Sequence, residues 1–200
     1  MGYDSLSAAS GGNNTAVGHQ CMKNSTSTYS TAMGYNALTG AGGDYACAFG
    51  MNAAAANTAN STIAFGYDAM AANTSGLRNL AIGMDAYNAS DTEADNMAIG
   101  FEAMANNTAG GTGNMAIGNY ALDDLTSGDH NVSIGLLSGN SVTEGVSNVL
   151  LGNGCGANIT TGDENILIGR NVGSNNVNLT TGHRNVIIGA YADVSAAGSD

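Results

Sequence analysis

Short apolar triplets recur along the whole chain, and a glycine follows each of them. Examples are MAI at 97–99 before Gly100 and ILI at 166–168 before Gly169. A period this short, held from end to end, is typical of stacked rungs rather than of an ordinary globular core. The pattern predicts an all-β parallel β-roll or β-solenoid of about twelve rungs. The glycines, spaced 16 to 20 residues apart, are Gly2, Gly18, Gly34, Gly50, Gly66, Gly83, Gly100, Gly118, Gly135, Gly152, Gly169 and Gly189.

Polarity alternates within each rung, which we number from its glycine as position 0. Positions −3 and −1, such as Met97 and Ile99, share one face because side chains alternate along a strand. We expect this to be the buried face. Position −2, an alanine such as Ala98 in most rungs, points to the other side, where it packs at close range against backbone.

A second short strand is predicted after each glycine, so that each rung holds two. Position +1 is often large, +2 polar and +3 small, as in Phe101, Glu102 and Ala103. We expect +1 and +3 to point inward and +2 to face water. The repeat glycines from Gly18 to Gly189 then have a structural role, since glycine permits a sharp bend.

Asparagine is frequent at position −4, just before the triplet. Because identical rungs stack in register, these side chains are expected to form an amide ladder. The asparagines of this row are Asn14, Asn79, Asn96, Asn114, Asn131, Asn148, Asn165 and Asn185.

The repeats show no seam, so we interpret residues 1–200 as one array. Rungs over 14–122 are regular and alanine-rich, and rungs over 131–193 are modified. In the modified part, −2 becomes Leu150, Leu167 and Ile187, while +4 becomes glycine. We expect the −2 face to be more deeply buried toward the C-terminus, against sister chains.

Composition limits the classes of function. The net charge of −12 argues against nucleic acid and against anionic membrane surfaces. No apolar run reaches the ~20 residues of a membrane-spanning helix, and the MGYDSL start does not resemble a signal peptide. The absence of proline suits stacked strands. A thin solenoid buries little apolar surface, so we expect either oligomerisation or a fragment of a longer chain.

Three strings carry a resemblance to a known repeat: NMAIGFEAM (96–104), NMAIGNYAL (114–122) and NILIGRNVGSNNVNLTTGHRNVIIG (165–189). They are similar to the head repeats of trimeric autotransporter adhesins and to related repeats in tail fibres of tailed bacteriophages. The resemblance implies a left-handed roll, a homotrimer and a role in attachment. Gly139, Gly156 and Gly173, where the Ala-Leu step is lost, depart from it. The loops of Thr-Thr-Gly type favour the phage version.

The three cysteines occupy repeat positions of the core. Cys21 and Cys155 stand at +3, and Cys47 stands at −3. No metal-binding spacing links them, so packing is favoured over a disulfide or a metal site. Three free thiols also suit synthesis in a reducing compartment.

Other chemistry is weakly indicated. Two metal sites are the alternatives that the sequence offers. One is a symmetric site at His19, His130 or His183, and the other is calcium binding at Asp91, Glu93 and Asp95 or at Asp123 and Asp124. We favour the simpler interpretation that the histidines are exposed and that the carboxylates are solvated loop charges. We expect no metal, no cofactor and no catalytic constellation. A carbohydrate-cleaving site between chains is the enzyme alternative.

These features favour a structural and adhesive fibre segment of a bacteriophage tail fibre, in the virion or outside the cell. Its expected partners are two sister chains and a glycan or protein receptor on the host surface, without nucleic acid or membrane insertion. The first alternative is the head of a bacterial trimeric autotransporter adhesin. The second, from another class, is a monomeric solenoid that binds a repetitive lattice such as ice. A flat, regular threonine ladder would support the latter, but threonine here clusters in loops.

Overall fold

The computed structural model describes residues 2–7, 11–40, 42–107, 110–174 and 179–192. These residues form one parallel sheet of eleven strands, stacked in chain order. Each strand is three residues long and ends at a repeat glycine. The strands are β1 (Thr15–Val17), β2 (Thr31–Met33), β3 (Cys47–Phe49), β4 (Ile63–Phe65), β5 (Leu80–Ile82), β6 (Met97–Ile99), β7 (Met115–Ile117), β8 (Val132–Ile134), β9 (Val149–Leu151), β10 (Ile166–Ile168) and β11 (Val186–Ile188).

Neighbouring strands pair in the register that the sequence period predicts. Ala98 pairs with Ala116, and Leu167 pairs with Ile187 across the 20-residue repeat. The sheet is unbroken at the boundary between the regular and the modified rungs, where β7 pairs with β8. The all-β parallel solenoid is therefore confirmed, with about ten turns between the first and last strands. The first expected rung, at Gly2, contributes turn residues, and position 193 lies outside the described residues.

The core lies on the opposite side of the sheet from the one predicted. In every strand the middle residue is buried and the two end residues are not. Ala98, for example, is buried while Met97 and Ile99 are partly exposed. Position −2 therefore faces the core, and positions −3 and −1 face outward. The expectation of a buried −3/−1 face is wrong because the interior is already filled from the turn after the glycine, as by Met104 at +4, which leaves at −2 only the space of an alanine in the regular rungs.

A second strand is not present after the glycine in the described rungs. Positions +2 and +4 are left-handed, with φ of 49° at Glu102 and 53° at Met104. These angles turn the chain, yet both N–H groups still donate to neighbouring rungs: Glu102 to Met84 O at 3.0 Å and Met104 to Ala121 O at 2.9 Å. Position +3 points inward as expected, but position +1 is largely exposed, so the prediction of an inward +1 row is wrong.

The repeat glycines stack directly on one another. Their φ lies between 135° and 143° from Gly18 to Gly189, a region that L side chains rarely adopt. A Cβ at Gly100 would lie 2.5 Å from the carbonyl oxygen of Gly118 in the next rung. Glycine is therefore required both by the backbone angle and by the close approach of the neighbouring rung.

The asparagines at −4 form the amide ladder that the sequence predicts. The N–H of Asn131 donates to Oδ1 of Asn114 at 2.8 Å, and the N–H of Asn148 donates to Oδ1 of Asn131 at 3.0 Å. The row is continuous from Asn79 to Asn185. Nearer the N-terminus, Ser30, Ala46 and Thr62 take this position, so Asn14 bonds to Ser30 instead.

Bulk shifts between two rows of the core in the modified rungs. Leu150 and Leu167 at −2 are fully buried within a single chain. They occupy the space above Gly139, Gly156 and Gly173, where the regular rungs carry a large +4 side chain. The exchange therefore keeps the core filled. The expectation that these side chains pack against sister chains is wrong, because no part of them is exposed.

Candidate functional site on the outward sheet face

The candidate site is a surface rather than a cleft, since no cavity is found among the described residues. We define the outward face as positions −3 and −1 of strands β1 to β11. It is bounded by two edge rows, position −5 on one edge of the sheet and position +1 on the other. Side chains at −3 and −1 share the outward side of the strand alternation. The residues at −5 and +1 flank the strands on either side, and most of them are exposed.

Most of the outward face is apolar and open to solvent. Its side chains are aliphatic, aromatic or methionine in nearly every strand, with Thr15, Thr31 and Cys47 as the exceptions. The exposed members are Val17, Met33, Ile63, Phe65, Ile82, Ile134, Ile166, Val186 and Ile188. Phe49 and Phe65 stack with ring centroids 4.8 Å apart. Eleven rungs at ~4.8 Å and a width of ~20 Å from the −5 row to the +1 row give the outward face and its two edge rows together an area of about 1,000 Å².

The +1 edge row is aromatic toward the N-terminus. Tyr3, His19 and Tyr35 stack in three successive rungs at centroid distances of 5.6 and 5.3 Å. Met51, Tyr67 and Met84 continue the row and are exposed. Toward the C-terminus the row becomes polar, and it includes Asn153 and Arg170. The guanidinium of Arg170 lies 4.7 Å from the centre of the Tyr191 ring.

The −5 edge row pairs its side chains between rungs, and its non-glycine residues are left-handed. Tyr29 and Tyr45 stack at 5.6 Å with nearly parallel rings. The two guanidinium groups of this row bind carboxylates one rung away. Arg78 binds Asp95 through two hydrogen bonds of 2.5 and 2.7 Å, and Arg184 binds Glu164 at 2.7 Å. Exposed pairs of this kind contribute little stability but specify which rung lies beside which.

The cysteines divide between the core and the outward face. Cys21 and Cys155 are fully buried at +3, as the sequence predicts. Burial raises the pKa of the Cys155 thiol to about 11, which suppresses its thiolate form. Cys47 at −3 is partly exposed on the outward face, so its placement in the core was wrong. All three thiols are free.

The three histidines lie at separate places on the surface. His19 is stacked between Tyr3 and Tyr35, and His130 stands exposed in the −5 row. His183 places Nδ1 at 3.2 Å from a carboxylate oxygen of Asp163. Within the described part of the chain, no three histidine, cysteine or acidic side chains come together as metal ligands.

The first acidic candidate site is taken up by contacts within the chain. Asp91 accepts a hydrogen bond from the Thr74 hydroxyl, and Asp95 binds Arg78. Glu93 is buried. One carboxylate oxygen accepts hydrogen bonds from the Ser90 hydroxyl and from the N–H groups of Asp91 and Thr92. Burial alone would raise the pKa of Glu93, but these hydrogen bonds hold it below its usual value.

Asp123 behaves differently from the other acidic candidates. Burial, together with the nearby charges of Asp124 and Glu102, raises its pKa to about 6. Its Oδ1 is buried, and no donor among the described residues reaches it. Its carboxyl group therefore favours the protonated form more strongly than a free aspartate does.

The regular rungs also hold a buried polar network that the alternation of polar and apolar positions does not predict. Tyr87 at +4 is fully buried, and its hydroxyl accepts hydrogen bonds from Asn96 at 2.5 Å and Asn107 at 3.4 Å. Asn107 belongs to position +7, a buried row that is polar in Asn57, Asn73 and Ser90. The same row becomes apolar in later rungs, at Leu125, Val142 and Ile159. The recurrence of Asn seven residues after the glycine was the available signal.

The loop threonines at position +8 stack in register, so the clusters that the sequence places in loops also form a row between rungs. The hydroxyl of Thr126 donates to the carbonyl oxygen of Thr143 at 3.1 Å, and Thr143 and Thr160 continue the row in the same way. These hydroxyl groups therefore already donate to backbone carbonyl groups of the neighbouring rung. The row is also interrupted by Asp91 in the rung of Gly83.

Comparisons with protein-family models, with curated proteins and with solved structures return no match to this chain. The structure describes no helix long and apolar enough to cross a membrane. Any statement on function therefore depends on the outward face and its edge rows.

Proposed function

We propose that this chain is a structural and adhesive segment of a homotrimeric fibre, of the kind found in bacteriophage tail fibres. Three copies would bury their outward faces against one another around a common axis. The observation that carries this proposal is the continuous apolar surface along β1 to β11, which a single chain leaves open to water. Contiguous exposed apolar patches of this size mark interaction sites.

The area of the surface supports self-association. A stable interface between two proteins buries about 800 Å² on each partner. The outward face and its edge rows offer about 1,000 Å² per copy, which a trimer would share between two neighbours. The small core gives a second reason, because Ala16, Ala32 and their equivalents contribute little apolar area to each rung. A solenoid of this kind gains most of its missing burial from neighbours.

The remaining surface suits presentation and spacing. Outside the outward face, the described residues include acidic loops and the turn rows at +2 and +8. A rigid rod of about 50 Å holds its two ends at a fixed separation. Three parallel copies would also present each surface feature three times, so weak single contacts with a host-surface glycan or protein add up by avidity.

The first experiment is a mass measurement in solution by sedimentation equilibrium. The proposal expects three times the 19.8 kDa mass of one chain. Ile134→Asp places a charge on the outward face and is expected to yield monomers. Leu137→Asp is the matched control, because Leu137 lies in the same rung outside this face and is exposed to a similar extent, 40% against 38%. A monomeric wild-type chain would refute the proposal.

Adhesion needs a separate assay. Trimeric wild-type protein and the monomeric Ile134→Asp variant are incubated with candidate host cells, and bound protein is measured. Avidity predicts that the trimer is retained and that the monomer is washed away. Equal absence of binding by both proteins would leave a spacer role and remove the adhesive one.

The adhesin-head alternative shares this architecture and the same mass. The ice-binding alternative finds partial support in the threonine row at +8, whose regular spacing would suit a repetitive lattice. Because those hydroxyls already donate to the next rung and the row is interrupted at Asp91, we favour the fibre. A monomeric chain that shows thermal hysteresis in freezing solution would reverse this preference.

A further inference from the structure

We propose that the two edge rows of the outward face are complementary, so that the +1 row of each copy lies against the −5 row of the next copy at the same height. In this arrangement Arg170 of one copy faces Glu164 of the next. The inference rests on the proposed trimer, and it adds the order and the axial register in which the copies associate.

The geometry of a threefold axis brings opposite edges together. Position −5 precedes each strand and position +1 follows the bend glycine, so the two rows lie at opposite edges of the sheet. Rotation about a threefold axis places one edge of each copy beside the other edge of its neighbour, which is a heterologous contact that closes into a ring. Such a rotation involves no shift along the axis. Each rung therefore meets the same rung of the next copy.

The rung of Gly169 carries opposite charges at these two edges. Arg170 is exposed at +1, and among the described ion pairs none involves it. Its guanidinium contacts the ring of Tyr191. On the other edge, Glu164 stands at −5 beside Asp163, and Arg184 and His183 of the next rung face this pair. At this height the −5 edge carries the two carboxylates of Asp163 and Glu164 against the one permanent cation of Arg184.

The rungs of Gly34 and Gly50 match in a different way. Their −5 residues are the stacked pair Tyr29 and Tyr45, and their +1 residues are Tyr35 and Met51, all four exposed. Aromatic and methionine side chains at the same height on both edges make an apolar corner near the N-terminal end. The ionic corner lies about eight rungs away, so the two corners differ in chemistry and are far apart.

These two corners together specify the axial register. A shift of one rung would place Arg170 opposite either Ser147 or Arg184, the −5 residues of the adjacent rungs. The first arrangement loses the ion pair, and the second brings like charges together, which disfavours that alignment. The outward face alone is too uniform along its length to exclude such shifts.

Disulfide trapping tests this register directly. Glu164→Cys and Arg170→Cys are combined in a chain whose exposed Cys47 is replaced by serine. Within one chain these positions lie ~15 Å apart on opposite sides of a strand, well beyond the ~7 Å between Cα atoms that a disulfide spans. Any bond between them must therefore join two copies. We expect mild oxidation to yield a covalent trimer on a non-reducing gel.

The matched control combines Ser147→Cys with Arg170→Cys, which tests the alignment shifted by one rung. We expect at least a tenfold lower yield of covalent trimer from this variant. A second pair, Tyr29→Cys with Tyr35→Cys, tests the apolar corner and is expected to cross-link as well as the first. Far-ultraviolet circular dichroism of the reduced proteins verifies that every variant folds.

The outcomes separate this inference from the proposed function. If the wild-type chain is a monomer, the proposed trimeric fibre and the proposed register both fail. If it is a trimer and the shifted pair cross-links at least as well as the in-register pairs, or if no pair cross-links, the inference is overturned while the trimer stands. In-register cross-linking at both corners supports it.

Discussion

Leu150 and Gly156 share one space in the core of their rung. A Cβ at Gly156 would lie 2.8 Å from Cδ2 of Leu150, and a Cβ at Gly139 would lie 2.6 Å from its Cδ1. In the regular rungs the same space is filled from the other row, as by Met104 at +4 above the small Ala98 at −2. The two rung types therefore exchange bulk between rows at nearly constant core volume.

Leu150→Ala is expected to lower the free energy of unfolding by about 2–5 kcal/mol, because it leaves a cavity above two glycines. Gly156→Leu alone is also expected to destabilise, since its side chain meets Leu150. The double variant restores the Ala/Leu combination of the regular rungs. It is expected to be more stable than either single variant in chemical denaturation, and additive losses would contradict the exchange of bulk.

The asparagine ladder yields a second prediction. Asn131 donates through Nδ2 to Gly145 O at 2.7 Å and accepts from the N–H of Asn148. Asn131→Ala leaves these buried groups without partners and is expected to cost about 2–3 kcal/mol. Asn153→Ala, at an exposed +1 position, is the control and is expected to change stability by less than about 0.5 kcal/mol. Equal losses of thermal stability in both variants would refute a special contribution of the ladder.

The period and register of the fold could be read from the sequence because each rung repeats a glycine that tolerates no Cβ. Which face of each strand is buried could not be read from the sequence. Alternation separates Ala98 from Met97 and Ile99, but it does not say which side is inside. The usual preference for large apolar residues in the core assigns the wrong strand face here, because the large buried residue of each regular rung comes from the turn, as Met104 does, and not from the strand.

The turn after each glycine was also beyond sequence reasoning. Glu102 and Met104 adopt left-handed angles that their residue types seldom favour. Stacking on equivalent residues overrides that preference in every rung. Gly139, Gly156 and Gly173 were the available signal, since glycine replaces the +4 residue at a φ of about 60°. The edge rows of the candidate site stayed hidden for the same reason, because the +1 row had been assigned to the interior.

A pH dependence is expected from Asp123. The pKa of Asp123 in the folded chain, about 6, lies above the ~3.9 of an unfolded aspartate. The folded state therefore binds this proton more tightly, and the contribution of Asp123 to stability falls as pH rises from about 4 to 6. Asp123→Asn is expected to remove this loss and to stabilise the chain at pH 7 by about 1 kcal/mol, since solvent screens a partly exposed group.

Thermal unfolding of both proteins between pH 4.5 and 7.5 measures this difference. The gain from Asp123→Asn should grow with pH and level off above pH 7. Glu144→Gln removes the same formal charge from an exposed loop and serves as the control. A gain that is constant with pH, or equal in the control, would show that general charge repulsion rather than the burial of Asp123 is responsible.

Thiol reactivity reports on the outward face without any added label. Cys21 and Cys155 are fully buried, so neither is expected to react with a disulfide reagent in the folded chain. Burial raises the pKa of all three thiols, and the partial exposure of Cys47 is what distinguishes it. Cys47 lies on the outward face, where assembly would cover it. The Ile134→Asp monomer is therefore expected to show one reactive thiol per chain and the wild-type trimer none. The Leu137→Asp control should match the wild type, and one fast thiol in all three proteins would place Cys47 outside any interface.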